Sequence, residues 1–414
     1  MKSKVSDRLF ELSVAAIMKQ SLPLALSFAA LALALFFVTS SAALAMDGGT
    51  PAAGTTVQFS RSSFEVPEGA GSITVTVTRT GITTGTVSVD YTVGADDDKT
   101  DTASQRKDFT FASGTLTFAP GETNKSFKVL ITQNSFVQPG REAKIVLSNV
   151  TGGAALGKPA RASLEIDDDD VAGEVENPID DHRDFVRQHY HDFLNREPDQ
   201  GGLEYWSRKL EDCGTDAPCL DQQRMQVSAA FYISQEFQNT GFFVFKMEKA
   251  SFARRPEYRS FMAHVQKISR SAISRGVETS RQKFADDWIE RPEFHAEYDR
   301  LSNDDYVDEL YRNAEIGSDP ATRQRQVDDL NNNRKRRGEI LTEVVANREF
   351  NDRQYNAGFV LMQYFGYLRR NPDEAGYRFW VGKLEETRNQ PDNYQSMVKA
   401  FVKATEYRQR FGQN

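Results

Sequence analysis

The chain has 414 residues and carries 59 acidic against 51 basic side chains, which gives a net charge of −8 at pH 7. This length predicts two or three domains that can bury hydrophobic cores without metal or disulfide scaffolding. The acidic balance argues against a polybasic surface, so no nucleic-acid partner is expected.

The amino terminus has the pattern of an export signal. Leu22–Val38 is almost uninterrupted apolar sequence, preceded by Lys19 and followed by small residues ending in Ala43-Leu44-Ala45. This pattern predicts a signal peptide over residues 1–45, and a start at Met18 would make it more compact. An uncleaved anchor is the alternative, although the stretch is slightly short for a span. In both cases the bulk of the chain is exported. With cleavage it meets the membrane only transiently, and it is then secreted, periplasmic or at the cell surface.

Residues 55–173 alternate apolar and polar side chains with a period of two. The pattern is clear in Ile73, Val75 and Val77, whose neighbours are Ser and Thr, and it recurs in several later segments. Short alternating segments separated by Gly, Pro and Asn predict β-strands of a sandwich or barrel.

The motifs of this region occur in a characteristic order. They read FEVPEGAG, VSVDYTV, KDFTFASGTLTFAPGE, IVLSNVTGGAALG and EIDDDD. In this order they resemble the Calx-beta domain, which is also found in sodium-calcium exchangers and in many bacterial surface proteins. The resemblance covers nearly all of residues 57–170 and implies an all-β immunoglobulin-like sandwich with calcium at one tip. The ligands that it implies are Glu68, Asp108, Glu142, Asp168, Asp169 and Asp170.

One departure from the resemblance affects the expected calcium site. Calcium-binding members usually carry an acidic cluster after the strand that here spans 128–132, whereas this chain continues Gln133-Asn134-Ser135 and keeps Glu142 alone near that position. We expect fewer ions or weaker binding, and a solvated acidic tip without calcium is the alternative. The loop aspartates at 96–98 and 101 either compensate for the missing acidic cluster or form a polar turn.

The pattern changes after a polar stretch at residues 174–183, which is predicted to be a linker. Apolar residues then recur with a period of about 3.6, which predicts helices. Twelve residues between Phe185 and Glu211 are identical to the residues 174 positions later, so the helical region contains an internal repeat. We assign the first helical unit to 184–300 and a degenerate middle unit with the last unit to 301–414.

The repeated phrases FLNREPDQGGLEYW and YLRRNPDEAGYRFW resemble the bacterial family called domain of unknown function 4214. The match is specific over residues 184–240 and 357–412. The resemblance implies small helical units that are common in exported and surface-layer-like proteins, and it implies no activity. The sequence as a whole therefore predicts a multidomain protein, a β-sandwich followed by an all-α helical repeat region.

Several side chains of the helical region are candidates for a site. Arg196 with Asp199, and their counterparts 174 residues later, form either a recognition surface or structural turns. His189 and His191 point away from each other at a spacing of two on a helix, which disfavours zinc.

The two cysteines also lie in this region. Cys213 and Cys219 are close in sequence, and an exported context favours a disulfide between them. A pair of unlinked thiols is the alternative.

No motif of a nucleophile, metal hydrolase or phosphate-binding loop is present, so we do not expect an enzyme. The sequence favours a structural or adhesion-type protein of the cell envelope. Its expected partners are another envelope protein, a glycan or copies of itself. The alternative is a secreted hydrolase or carbohydrate-active protein with a site between helical units.

Overall fold

The computed structural model describes residues 54–94, 102–173, 176–386 and 391–413, with the backbone alone for 270–275 and 391–393. The predicted signal peptide and the aspartates at 96–98 and 101 lie outside these residues. Among the described helices, none is both long and apolar enough to cross a membrane.

The first region folds into two facing β-sheets. Its strands are β1 (Thr56–Phe59), β2 (Ser63–Pro67), β3 (Ser72–Thr80), β4 (Val87–Val93), β5 (Ala112–Phe118), β6 (Asn124–Leu130), β7 (Arg141–Ser148), β8 (Ala155–Leu156) and β9 (Arg161–Asp167). One sheet has the order β6-β3-β1-β8 and the other β2-β9-β7-β4-β5. Alternate residues of each long strand are buried in one shared core, because successive side chains point to opposite faces. The predicted sandwich is confirmed.

The described residues of the second region form helices joined by turns and loops. Its helices are α1 (His182–His189), α2 (Gln200–Glu211), α3 (Ala217–Ile233), α4 (Gln235–Asn239), α5 (Gly241–Phe252), α6 (Tyr258–Arg275), α7 (Val277–Ile289), α8 (Pro292–Tyr298), α9 (Asn303–Ala314), α10 (Pro320–Asn331), α11 (Arg337–Val345), α12 (Arg348–Gln363), α13 (Glu374–Glu386), α14 (Pro391–Val402) and α15 (Thr405–Arg408). Helices α1 and α12 each continue into a π-helical turn, Tyr190–Leu194 and Tyr364–Leu368. The predicted helical repeat region is therefore confirmed.

Part of the predicted linker packs against the helical region. Ile179 is buried in the helical core, and the Nδ2 of Asn177 donates to the carbonyl oxygen of Arg408 at 3.1 Å. This segment therefore lies against the carboxyl end of the chain.

The predicted disulfide is present. Cys213 and Cys219 are bonded, with their Cα atoms 5.6 Å apart. The bond closes a short loop between α2 and the start of α3.

The two repeat copies build the same aromatic cluster around their tryptophans. The clusters consist of Tyr190, Trp206 and Phe231 in the first copy and Tyr364, Trp380 and Phe401 in the last. The Tyr–Phe ring centroids are 4.9 Å apart in the first cluster and 5.0 Å apart in the last, edge to face in both. The Trp–Phe centroids are 6.0 Å and 6.2 Å apart. The internal sequence identity therefore reflects a common packing unit.

The arginine of each repeated turn fastens the turn to the end of its own copy. Arg196 binds Glu236 through two hydrogen bonds of 2.7 and 2.8 Å, and Arg370 binds Glu406 through two of 2.7 and 2.9 Å. Bidentate pairs of this kind are strong and geometrically specific. Asp199 lies farther from Arg196, at 3.8 Å, and instead caps α2 by accepting from the amide of Gly202 at 2.9 Å. These residues thus hold the turn in place.

The two copies contact each other through equivalent π-helical turns. The ring of Phe193 lies edge to face against Tyr367, its own counterpart, at 5.2 Å between centroids. Gly366 allows this approach, because a Cβ atom there would lie 2.8 Å from the Phe193 ring. The copies therefore pack as an internal pseudo-dimer.

A buried ion triad lies beside this contact. The carboxylate of Asp192 accepts from Arg369 Nε at 3.0 Å and from both Nη atoms of Arg410 at 3.1 Å. The three side chains are at most 2% exposed. Burial raises the pKa of the Asp192 carboxyl, but the two guanidinium groups outweigh burial and the pKa lies below its ordinary value. Asp192 is therefore ionised and joins the two copies.

The same arginines bind the sandwich. Arg369 Nη1 donates to the carbonyl oxygen of Phe109 at 2.8 Å, and its Nη2 donates to Thr110 Oγ1 at 2.7 Å. Arg410 Nε donates to the carbonyl oxygen of Arg106 at 2.9 Å. The sandwich and the helical region consequently belong to one compact unit.

A glutamine covers the edge strand of the larger sheet. The side-chain amide of Gln266, on α6, accepts from the backbone amide of Ser113 at 3.0 Å and donates to the carbonyl oxygen of Phe111 at 2.5 Å. It thereby pairs backbone groups that an edge strand would leave open to another chain.

We expect Asp192→Asn to destabilise the protein. The substitution leaves two buried guanidinium groups without a counter-ion, which costs about 3–5 kcal/mol of unfolding free energy. Urea denaturation followed by circular dichroism measures the loss. Asp352→Asn is the matched control, because this side chain is 73% exposed and its change should stay within about 0.5 kcal/mol. Equal stability of the two variants would contradict the role of the triad.

Candidate metal centre

The register of two parallel strands brings the acidic residues together. Strands β2 and β9 pair in parallel with Pro67 opposite Asp167. The residues that follow, Glu68 and Asp168, therefore leave the sheet side by side at the same edge. Glu68 begins a short 3-10 helix over Glu68–Ala70, while Asp168 begins the acidic run after β9.

Three carboxylates converge there, and we call this group the acidic apex: Glu68, Asp168 and Asp170. One oxygen from each lies within 4.8 Å of the others. Two oxygens bound to one calcium ion, each about 2.4 Å from it, are at most about 4.8 Å apart. The spacing of the acidic apex therefore fits a single calcium ion.

Each member of the acidic apex has an oxygen without a hydrogen bond from any described residue. These oxygens are Glu68 Oε1, Asp168 Oδ1 and Asp170 Oδ2, and all are shielded from solvent. Glu68 is only 2% exposed. Buried carboxylate oxygens without donors are costly unless the group is protonated or binds a cation. The donor set thus fits a hard divalent ion.

Donors orient the second carboxylate oxygen of two apex members, Glu68 and Asp168. Asn134 Nδ2 donates to Glu68 Oε2, and the backbone amide of Gln138 donates to Asp168 Oδ2 at 3.0 Å. Gln133 Nε2 donates to the adjacent Asp169 at 3.1 Å. The loop after β6 therefore positions the acidic groups through amides.

The environment of the acidic apex favours the protonated form of its carboxyl groups. Burial raises the pKa of Glu68 to about 9, and the negative charges of the neighbouring aspartates add to the shift. Burial also raises the pKa of Asp170. Crowded carboxylates cannot all ionise without a compensating positive charge.

The other implied ligands lie outside the three-carboxylate group. Asp169 is exposed and bonded to Gln133. Asp108 is buried and accepts from the amide of Ser104 at 2.6 Å, and burial raises the pKa of Asp108. Glu142, on β7, pairs with Lys144 and accepts from Ser163 Oγ at 2.6 Å.

Two residues of the apex surroundings were not identified as functional from the sequence. Gln133 and Asn134 were noted there as the loss of an acidic cluster. In the structure their side-chain amides donate to carboxylates of the acidic run. Their position directly after β6, where the Calx-beta resemblance implies acidic residues, was the available signal.

The two histidines of α1 and its π-helical turn lie apart from this site. His189 is fully buried, with its ring nitrogens 2.7 Å from the Phe185 carbonyl oxygen and from Ser228 Oγ. Burial lowers the pKa of His189 to about 4, so the ring is neutral. His191 contacts Glu197 at 2.6 Å.

Known proteins resemble both regions. The Calx-beta domain model matches residues 51–170, and the model of Domain of unknown function (DUF4214) matches residues 176–241 and 342–411. Sodium/calcium exchanger 1 of Canis lupus familiaris is 30% identical over 133 residues, which cover 28% of this chain and 13% of the exchanger. The Rattus norvegicus exchanger is 30% identical over 135 residues, with the same coverage. The chain thus spans 13% of the length of these relatives.

Two solved structures resemble the sandwich. The apo-form Calx CBD1 domain is 28% identical to this chain, with a TM-score of 0.26. The match covers 28% of this chain and 99% of the CBD1 chain. The calcium binding domain CBD12 of CALX1.1 is 29% identical, with a TM-score of 0.26. That match covers 28% of this chain and 45% of the CBD12 chain. The family models therefore match one Calx-beta domain at residues 51–170 and, after it, two segments of Domain of unknown function (DUF4214) at residues 176–241 and 342–411.

Proposed function

We propose that the protein is an exported, non-catalytic scaffold of the cell envelope whose sandwich binds one calcium ion at the acidic apex. Glu68, Asp168 and Asp170 would supply the first ligands, and backbone oxygens or water would complete the six to eight that calcium takes. The observation that carries the proposal is the set of three buried carboxylate oxygens without donors.

We also propose that the protein is exported and that its helical copies bind a partner at the cell envelope. The export signal in the sequence and the disulfide are compatible with an oxidising compartment. Each helical copy also presents an aromatic pair with a lysine on its surface. Phe379 is 61% exposed and lies 5.2 Å from Trp380, and Tyr205 lies 5.0 Å from Trp206. These two surfaces favour binding to an envelope protein, a glycan or another copy. Turnover by the purified protein on glycan or peptide substrate panels would contradict a non-catalytic role.

Calorimetric titration of the full mature chain with calcium tests the site. We expect one ion per chain and a rise in melting temperature, since a ligand at 100 times its Kd stabilises the folded state by about 2.7 kcal/mol. Asp168→Asn and Asp170→Asn should each weaken binding about tenfold or more, because each removes a charged ligand.

The matched control for these variants is Glu142→Gln, which removes one negative charge from the same domain. Its side chain is paired with Lys144 and lies outside the acidic apex. We expect this variant to retain the affinity of the unaltered protein. Absence of heat and of any melting shift at millimolar calcium would refute the site.

Calcium binding should depend on pH through Glu68. Its pKa of about 9 means that calcium displaces about one proton at pH 7. Affinity should therefore rise by up to about tenfold per pH unit towards pH 9. Titration at pH 7 in PIPES and in Tris buffer measures proton release, because the two buffers differ in ionisation heat. Identical heats in both buffers would exclude a protonated apex.

The raised pKa of Glu68 also makes the stability of the ion-free protein depend on pH. A carboxyl whose pKa is raised from 4.5 to about 9 on folding stabilises the fold below pH 4.5, and this contribution is lost as pH rises towards 9. The melting temperature in chelator should fall over this range. Glu68→Gln should flatten the fall because its amide does not titrate, and an unchanged pH profile would contradict this origin.

A further inference from the structure

The acidic apex does not face open solvent on the side of Glu68. A cavity of about 10 Å³ separates it from the first helical copy, enough for about one water molecule. Glu68 and Gln133 line the cavity from the sandwich, and Arg187, Gln188 and His191 line it from the helical region. The proposed cation site therefore lies at the boundary between the two regions.

Three consecutive residues connect the acidic groups to the carboxyl end of the last helical copy. Gln133 and Asn134 donate to the acidic groups. The next residue, Ser135, donates from its backbone amide to the carbonyl oxygen of Phe411 at 2.7 Å. Asn134 is itself fixed, since it is 1% exposed and its Oδ1 accepts from the amide of Phe136 at 2.9 Å. Asn134 therefore links the acidic apex to the residue whose backbone is bonded to Phe411.

A second contact lies on the other side of Glu68. Gly71 has a φ of 74° and lies directly against the carboxylate of Glu197, because a Cβ atom there would be 2.8 Å from Glu197 Oε1. Glu197 is in turn held by His191 at 2.6 Å. The segment that carries Glu68 is thus bounded by the first helical copy, as the loop after β6 is bounded by the last.

We infer that cation binding at the acidic apex is coupled to the docking of this end of the sandwich on both helical copies. The inference rests on the proposed function and adds its regulation. An ion that draws Glu68 towards Asp168 and Asp170 acts through Glu68 on Asn134 and on the Glu68–Ala70 turn, and through these on the contacts to Phe411 and Glu197. Removal of the ion loosens both contacts. Coupling is reciprocal, so weaker docking must also weaken cation binding by the same factor.

Hydrogen exchange of the full chain, with and without calcium, tests the coupling in the unaltered protein. We expect calcium to slow exchange at residues 64–71 and 131–138, and also at 405–413 and 186–197 in the helical region. Protection confined to the sandwich, with calcium bound, would overturn the inference and leave the proposed function intact. Absence of calcium binding would overturn both.

Gly412→Val tests the reciprocal effect without altering any proposed ligand. A side chain at residue 412 would overlap Ser135 Oγ and lie 3.2 Å from Asn177, so valine must displace these side chains at the contact between the two regions. We expect the Kd for calcium to rise about fivefold or more and the protection of 405–413 to disappear. Gly382→Val is the matched control, because no atom lies within 4 Å of a Cβ atom there.

The control should bind calcium as the unaltered protein does. Equal calcium affinity in both glycine variants would overturn the inference. If Gly412→Val does not fold, the hydrogen-exchange experiment on the unaltered chain still tests the inference.

Discussion

The arrangement of the molecule depends on the ion triad of Asp192, Arg369 and Arg410. One carboxylate lies between two guanidinium groups, and all three side chains are withdrawn from water. Such a cluster is tolerated only when the remaining donors are paired. Backbone carbonyl oxygens of the sandwich and of the last copy accept those donors. The requirement to satisfy the triad thus fixes the two copies and the sandwich in one relative arrangement.

The triad also explains where the internal symmetry ends. The aromatic clusters and the turn arginines are equivalent in the two copies, because each copy needs them to close its own core. The triad has no equivalent: the counterpart of Asp192 is Gly366, and that of Arg369 is Asn195. Both Asn195 and Arg369 have positive φ values, 52° and 48°, so the backbone is retained while the side chain differs. The sandwich therefore docks on a place where the copies have diverged.

Periodicity predicted the kind of element in each region, β-strands in the first and helices in the second. The alternation of Val87, Val89, Tyr91 and Val93 predicts a half-buried strand wherever it occurs, and the repeat at Trp206 predicts a second helical unit. Contacts between residues that are distant in the sequence were not predictable, because the type of a residue does not identify its partner in the fold. Examples are the hydrogen bonds of Gln266 with the edge strand, of Glu236 with Arg196 and of Phe411 with Ser135. The disulfide was predictable because both cysteines lie in one short segment.

The acidic apex shows the same division between local and long-range information. The EIDDDD run and the FEVPEGAG turn identify candidate carboxylates, but only the β2 and β9 register shows that Glu68 meets Asp168. The group that converges there includes Asp170 and not Glu142. The register also withdraws Glu68 from water, which raises its pKa to about 9. A carboxyl in this position weakens the ion-free fold at neutral pH, because it is ionised in the unfolded chain and must bind a proton on folding.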